Sequence, residues 1–568
     1  MSASAGAMNA KDGGRPRVTV IMTGRERNGL ALRSVESVLD NTRMPFRFLY
    51  ADVCSPDWLR ARLSQQAKAG ALELVRFDEP LWPTQVRHRL VGQVDSAYAV
   101  YIDNDVLVAP GWLESMIACA DETGAGIVGP VYLWGEDASS DLIHMAGGLL
   151  RAERQAAGIV LREGHRFFNR RLGDVTLKRE ECGFAEFHCM LMRREVYRLP
   201  EIFHPEIVSV HEHIHASLVA RENGYKTFVE PQARVTYLAY APYCLSDVPV
   251  FRRRWSLQAS ESSIAGFARR WGVIDDDRSF GSLRAYLASH RAAVDPVRPR
   301  RDDAAPRPMQ EHDLKQTLTG LRELALLRGY SAQEIEQIGK SHWAALLLSN
   351  GGYRPCGRPF IDHLVGTASV LVHHGFQLRL IQAALLHAAY THAPGVAGGP
   401  EHTIDAVAQL LGGHDSPIER LVRAYAFRAQ RWSKLLRETN WADMATVDDV
   451  DIALIAIANS VDMHLSGEIR ATGRSDPDDA IALSRADAIC EILDVSDLAE
   501  TRKLAQQGFA GQALPKEGRR TTSFRVVGTK IVPMVNAALF EIEREKAARA
   551  GPSGSGSASE AEARVPAA

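Results

Sequence analysis

Two patterns of apolar and polar positions divide the chain. Up to about residue 294, short apolar runs (VTVIM at 18–22, FRFLYADV at 46–53, AYAVYID at 97–103, GIVGPVYL at 126–133) alternate with stretches such as LALRSVESVLDNT and GWLESMIACADET. The short runs are rich in Val, Ile, Tyr and Phe, which suit a pleated half-buried surface, and they predict strands. The stretches between them carry apolar residues at helical spacing. Strand alternating with helix predicts an α/β domain with a mainly parallel central sheet, because parallel neighbours need a crossover. After about residue 307 the pattern changes: LKQTLTGLRELALLRGY, FIDHLVGTASVLVHHG, LRLIQAALLHAAY, IERLVRAYAFRAQRW and VDIALIAIANSVDMHL repeat apolar residues three and four apart. That period predicts an all-α second half.

Punctuation sets the expected boundaries. The stretch DPVRPRRDDAAPRP alternates proline with charge and offers little to bury, so it reads as a linker. The two ends are rich in Gly, Ala and Ser, the composition of disordered tails. The expected organisation is a tail over 1–15, the α/β domain over 16–285, a linker over 286–312, the helical domain over 313–512, a strand and helix extension over 513–545 and a second tail over 546–568.

Composition narrows the partners. Of 568 residues, 67 are Lys or Arg and 69 Asp or Glu, a formal charge of −2 that removes the simplest argument for nucleic-acid binding. The seven cysteines are scattered with no CxxC pair, which argues against a disulfide framework and a thiolate zinc site. No window approaches the ~18 consecutive apolar residues of a membrane span, and the first residues lack the apolar stretch of a signal peptide. The expected location is cytoplasmic, with peripheral membrane association left open by the basic segment FRRRWS.

Ligands of α/β folds collect at the carboxyl ends of the strands. The third run ends there at Asp103, Asn104 and Asp105. Two carboxylates two residues apart can hold a hard divalent cation, and such a cation can neutralise a diphosphate. An Asx-rich turn ahead of Pro110 accounts for the same residues, and the pair alone does not decide.

The surrounding motifs resemble those of inverting family 2 glycosyltransferases, which bind nucleotide sugars on the GT-A fold. VTVIMTGRERNGLALRSVESVLDNT resembles the first strand and helix, FLYADVCSPD the second strand with its aspartate, and YIDNDVLVAPGWL the DxD strand. LIHMAGG, FHCMLMRREVYRLP and HEHIHASLVARENGYKTFVEP follow in the family's order, so the resemblance spans about residues 17–255. It implies a nucleotide-diphosphate-sugar donor held by Thr23, Asp52, Arg87, Asp103 and Asn104, with Mg2+ or Mn2+ on Asp105. It implies an acceptor hydroxyl of unknown identity approaching beside Glu186, His188, Arg254 and Trp255. The family's usual base is an aspartate in Glu-Asp-x-Asp, whereas this chain reads Glu212-His213-Ile214-His215. Glu212 is the expected base, with His213 the competing candidate. A second departure is the last strand, where ARVTYLAYAPY offers Tyr237 and no histidine ligand.

In the second half, RPFIDHLVGTASVLVHHGF and IQAALLHAAYTHAPG resemble the opening of HD-type metal-dependent phosphohydrolases. The resemblance places His363 and His387 at metal-binding positions. Ala388 stands where the signature aspartate would be, and Asn459 stands for the distant aspartate, with Asp462 one turn onward. Losing carboxylates removes both charge compensation for a metal and orientation of its water. The expected domain is therefore HD-like and catalytically degenerate, a module for nucleotide binding, sensing or homo-oligomerisation. Two alternatives to glycosyl transfer follow: a nucleotide phosphohydrolase centred on His363, His387 and Asp462, and a nucleotide-binding protein without turnover.

Overall fold

The four apolar runs of the first half form strands within one residue of their expected limits. In the computed structural model, which describes residues 16–299, 307–392, 400–414, 416–472, 480–507, 522–527 and 530–533, they become β1 (Val18–Thr23), β2 (Arg47–Val53), β4 (Tyr98–Asp103) and β6 (Ile127–Trp134). Every residue of β1 and β4 is buried, the expected state of strands covered on both faces by helices. The expected tails at 1–15 and 546–568 lie outside the described residues, as does most of 513–545.

The chain divides into two compact units, Met1–Val297 with Glu438–Val450, and Arg298–Arg437 with Asp451–Ala568. The first unit is built on a mixed sheet ordered β10-β12-β6-β11-β4-β1-β2-β3, where β3 is Glu73–Phe77, β10 Glu180–Cys182, β11 Cys189–Arg193 and β12 Thr227–Tyr237. Two short strands join from the side: β5 (Val106–Val108) pairs with β12, and β7 (Ile143–Met145) with β6. A separate antiparallel ribbon pairs β8 (Gly148–Gln155) with β9 (Gly158–His165). The run β3-β2-β1-β4 is parallel, whereas β11 runs antiparallel between β4 and β6. The chain steps outward from β1 through β2 to β3 and then crosses back to β4 on the other side of β1. The strand order therefore reverses between β1 and β4, and a crevice opens at their carboxyl ends, at Thr23 and Asp103.

A helix runs through the position of the boundary expected at 285/286. Asp276 caps a helix, Asp277–Val294, by accepting the backbone N–H groups of Arg278 and Ser279, and the helix runs through that position. Its residues Phe280, Leu287 and Val294 are buried at seven-residue spacing, so packing carries the helix up to the proline-rich segment. The first unit also includes 438–450, which the helical domain was expected to own. There Ala445 accepts from the Leu245 N–H at 2.9 Å, and Val447 donates to the Tyr243 carbonyl at 3.0 Å. Val447 is buried with Tyr243, Phe251 and Val294.

The second unit is helical, as the period predicted, with a short hairpin (Phe524–Val527, Lys530–Pro533) paired to Gly352–Tyr353. The helices Phe360–His373 and Leu378–Leu386 bury almost their whole surface. Among the described residues, no helix is long and apolar enough to cross a membrane. The seven cysteines are free thiols.

Candidate active site

The crevice between β1 and β4 is where charge concentrates. Asp103, Asn104 and Asp105 form the turn that ends β4, and all three are buried. The turn is tied down at both ends: the Asp103 N–H donates to the His188 carbonyl at 3.3 Å, and Asp105 accepts from the Leu238 N–H at 3.0 Å. Asn104 donates to the Glu26 carbonyl at 3.3 Å. Facing it, the chain leaving β1 runs Gly24-Arg25-Glu26-Arg27, four residues that sequence reasoning passed over. Three consecutive charges one residue after a fully buried strand were the available signal.

Arg25 bridges the two aspartates. Its Nη1 lies 2.8 Å from Asp103 Oδ2, and its Nη2 lies 3.0 Å from Asp105 Oδ1. Arg87 approaches the other oxygen of Asp103 at 3.6 Å, and His188 Nδ1 lies 3.0 Å from its Oδ2. Burial alone would raise the Asp103 pKa, but Arg25, His188 and Arg87 together hold it well below the usual carboxylate range. His188 is affected in the opposite sense: burial lowers its pKa, and Asp103 and Glu186 more than restore it. Burial brings Arg87 down to about 10, the largest cause opposing its charge, with the carboxylates of Asp103 and Glu212 working against that fall.

His188 also stacks on Tyr237, ring centroids 4.1 Å apart and planes at 19°. The histidine missing from the last strand thus has a counterpart from the segment before β11, at the same end of the sheet. Asp103, Asp105 and His188 offer ligand atoms within 4.8 Å of one another, which fits a divalent cation. Asp103 Oδ1 is buried and makes no hydrogen bond, only the longer approach of Arg87, which leaves it a lone pair for a cation. Arg25 now compensates the two carboxylates and would have to yield them to a cation.

Thr23 ends β1 beside Asp103, buried and with its hydroxyl unpartnered. Asp52 is buried at the end of β2, where its Oδ1 accepts the Ser55 N–H at 3.0 Å. Its neighbours Val53 and Cys54 line an adjoining cleft of about 240 Å³, with Arg25, Trp82, Arg253 and Arg254 among the other walls. Arg253 lies over the Trp82 ring at 4.4 Å. Arg254 pairs with Glu26, and Trp255 Nε1 donates to the same carboxylate at 3.3 Å. These two residues, expected on the acceptor side, both meet Glu26 in the segment after β1. Arg254 is shared, since it also lines the cleft.

On the other flank, Glu186 lies 3.1 Å from His144 Nε2 and 3.4 Å from His165 Nε2. Glu212 and His213 open the helix Glu212–Glu222 and are half-buried. Desolvation lowers the His213 pKa more than the neighbouring carboxylates of Glu212, Glu186 and Glu163 raise it. His211, just before them, has φ +60° and is wedged between the Phe267 and Phe280 rings.

In the helical unit His363 and Asp462 do meet, Nδ1 to Oδ2 at 2.7 Å, and the His387 ring centroid lies 5.3 Å from that of His363. Both Asp462 oxygens are taken by Arg358 at 2.9 Å, a bidentate pair standing where a cation would compensate the carboxylate. His387 Nδ1 is occupied by the Ala384 carbonyl at 2.7 Å.

Residues 19–199 match the model of the family described as "Glycosyl transferase family 2". No curated protein matches the chain. Among solved structures, the chain is similar to GalNAc-T7 with UDP, GalNAc and Mn2+, at 15% identity over 49% of this chain and 55% of that one, TM-score 0.33. It is also similar to the mannosyltransferase PcManGT from Pyrobaculum calidifontis in complex with GDP-Man and Mn2+, at 13% identity over 49% of this chain and 81% of that one, TM-score 0.28. A third likeness is to S. aureus TarS 1–349 in complex with UDP-GlcNAc, at 13% identity over 67% of this chain and 95% of that one, TM-score 0.30. The match thus spans little more than half the length of GalNAc-T7. These are distant likenesses, and the family rests on the match over 19–199. That segment of the α/β unit is a glycosyl transferase family 2 domain.

Proposed function

We propose that the protein transfers a sugar from a nucleotide-diphosphate-sugar donor to an acceptor hydroxyl, with inversion and with the help of a divalent cation. The observation that carries this reading is the buried Asp103-Asn104-Asp105 turn at the strand-order reversal, beside a cleft of about 240 Å³ and within a family 2 domain. Asp105 and Asp103, with His188, would hold Mg2+ or Mn2+, which supplies charge neutralisation for the departing diphosphate.

The remaining roles belong to the chain's own groups. Trp82, Arg253 and the backbone of Val53 and Cys54 provide walls for a nucleobase, and Asp52 fixes the turn that shapes them. Arg25, freed from the aspartates, and Arg87 present guanidinium groups to the diphosphate. Glu212 takes the acceptor proton as the hydroxyl attacks the anomeric carbon, and the proton leaves on its carboxylate. Trp134, Phe168 and Tyr240, whose ring centroids lie 5.0 and 5.8 Å from one another across Trp134, offer an aromatic face on the acceptor side.

The helical unit is read as an HD-like module without hydrolase chemistry. Arg358 on Asp462 and the Ala384 carbonyl on His387 supply the reason. The recess lined by Phe360, Ala388 and His392 holds about 10 Å³, room for a single water.

Thermal melting with UDP- and GDP-sugars, with and without Mn2+, tests the donor. One nucleotide sugar should stabilise the protein in a Mn2+-dependent manner, and stabilisation by none would count against the reading. Asp105→Ala should lower kcat for sugar transfer at least about 100-fold with the circular dichroism unchanged. Wild-type turnover in that variant would sink it. Glu212→Gln and His213→Gln, compared for kcat with donor affinity retained, identify the base.

A further inference from the structure

Three side chains from three separate segments converge beside the aspartate pair: His144 in β7, His165 at the end of β9 and Glu186 ahead of β11. Their ligand atoms lie within 4.8 Å of one another. His144 Nε2 is 3.1 Å from Glu186 Oε2, and His165 Nε2 is 3.4 Å from Oε1.

Glu186 Oε2 is shut off from solvent with His144 Nε2 3.1 Å away, and the other nitrogen of that ring, His144 Nδ1, is buried with no hydrogen-bond partner. Ligand atoms on one tetrahedral ion, at metal–ligand distances of about 2.0–2.2 Å, stand about 3.3–3.6 Å apart. The observed separations, 3.1 Å to Oε2 and 3.4 Å to Oε1 of Glu186, lie close to that range.

We propose that His144, His165 and Glu186 form a transition-metal site, separate from the Asp103/Asp105 pair and suited to Zn2+ or a similar divalent ion. Two imidazoles and one carboxylate favour such an ion over Mg2+, which takes oxygen ligands. The imidazoles are set by rings: Trp134 lies 5.2 Å from His144, and Phe168 lies 6.1 and 6.2 Å from His144 and His165. Access is open, since the His144 and His165 side chains are 13% and 24% exposed.

Three protein ligands leave a fourth position for water or a hydroxyl-bearing molecule. His188 connects this site to the donor side, its Nδ1 on Asp103 and its Nε2 3.9 Å from Glu186 Oε2. An acceptor hydroxyl bound in the fourth position would give up its proton more readily, and Glu212 would take that proton, so the ion would assist the base. The metal site itself does not depend on the glycosyl-transfer reading.

The test is Co2+ and Zn2+ binding to the full chain, read by equilibrium dialysis and by the visible absorption of Co2+. Wild type and Asp105→Asn should both bind a Co2+ ion with tetrahedral absorption that Zn2+ displaces. His165→Ala and Glu186→Gln should each weaken Zn2+ binding at least about tenfold while the far-ultraviolet circular dichroism is retained. Loss of all Zn2+ binding in Asp105→Asn, or unchanged affinity in His165→Ala, would overturn the proposal. Should the variants fail to fold, diethyl pyrocarbonate labelling of the unaltered protein decides: Zn2+ should protect His144 and His165, and equal labelling with and without Zn2+ would reject the site. Because the readout is binding, an absence of sugar transfer would leave this result standing.

Discussion

Arg25 neutralises two buried aspartates that would otherwise repel each other across a few ångströms. Removing one partner of a buried ion pair strands the other, at a cost of about 3–5 kcal/mol. Arg25→Ala should therefore melt at a markedly lower temperature than wild type in the absence of metal. Mn2+ should raise the melting temperature of the variant by more than it raises that of wild type, because the cation no longer competes with a guanidinium. Equal shifts in the two proteins would show that Arg25 and the cation do not share the aspartates. Glu26, one residue on, gives a pH signature. Burial raises its pKa, but Arg254 and then Arg25 outweigh burial and bring it to about 2 from 4.5. An acid whose folded pKa is depressed contributes stability above its unfolded pKa and loses it as pH falls through the folded one. Glu26 should therefore contribute on the order of 3 kcal/mol above pH 4.5, declining toward pH 2, by the conversion of ~1.4 kcal/mol per pKa unit. Urea denaturation at several pH values should show a shallower acid slope in Glu26→Gln than in wild type.

At the scale of elements, the helix Phe360–His373 packs against the helix Val447–Leu465 through an ion pair, and a glycine makes the approach possible. A Cβ added to Gly366 would fall 1.8 Å from Asp462 Oδ1 and 2.7 Å from Arg358 Nη2. Gly366→Ala should destabilise the protein by about 1–3 kcal/mol, the range for overpacking, or more if it also breaks the pair. Thermal melting checks it, and a neutral result would mean that the Arg358–Asp462 pair moves aside freely. This contact also explains what the sequence could reveal. The strands β1 and β4 were legible because they are buried on both faces and read as largely apolar runs, whereas His363 and His387 were singled out only by the resemblance of their motifs to HD-type phosphohydrolases. Arg358 on Asp462 was not, because the partners are 104 residues apart and no local pattern links them. The same holds for His188 on Tyr237 and for Arg25 on the aspartates. The end of the helix Asp277–Val294 was lost for a different reason: charged residues on its exposed face resemble the linker that follows, and only the buried seven-residue spacing tells them apart.

At the scale of the whole molecule, the α/β unit is discontinuous in sequence. Residues 438–450 belong to it, although the 140 residues 298–437 of the second unit precede them. The segment supplies two backbone hydrogen bonds and a buried valine to a cluster that includes Phe251, with Trp255 packed against it. Trp255 in turn donates to Glu26, which pairs with Arg254 in the wall of the cleft. The aspartate site is thus supported through Glu26 by a piece of chain that a cut at the linker would discard. Backbone groups left without partners and an apolar patch left uncovered both cost free energy, and loss of the valine alone removes about 1.5–3 kcal/mol of burial. A fragment of residues 16–297 should accordingly melt below a circularly connected version in which 438–450 is joined after Val297 by a flexible linker. A synthetic 438–450 peptide added in excess should recover part of the difference, by mass action on the folded fragment. If the fragment melts at the same temperature with or without the segment, residues 438–450 are not part of what holds the α/β unit together, and the coupling to the aspartate site through Trp255 and Glu26 fails with them.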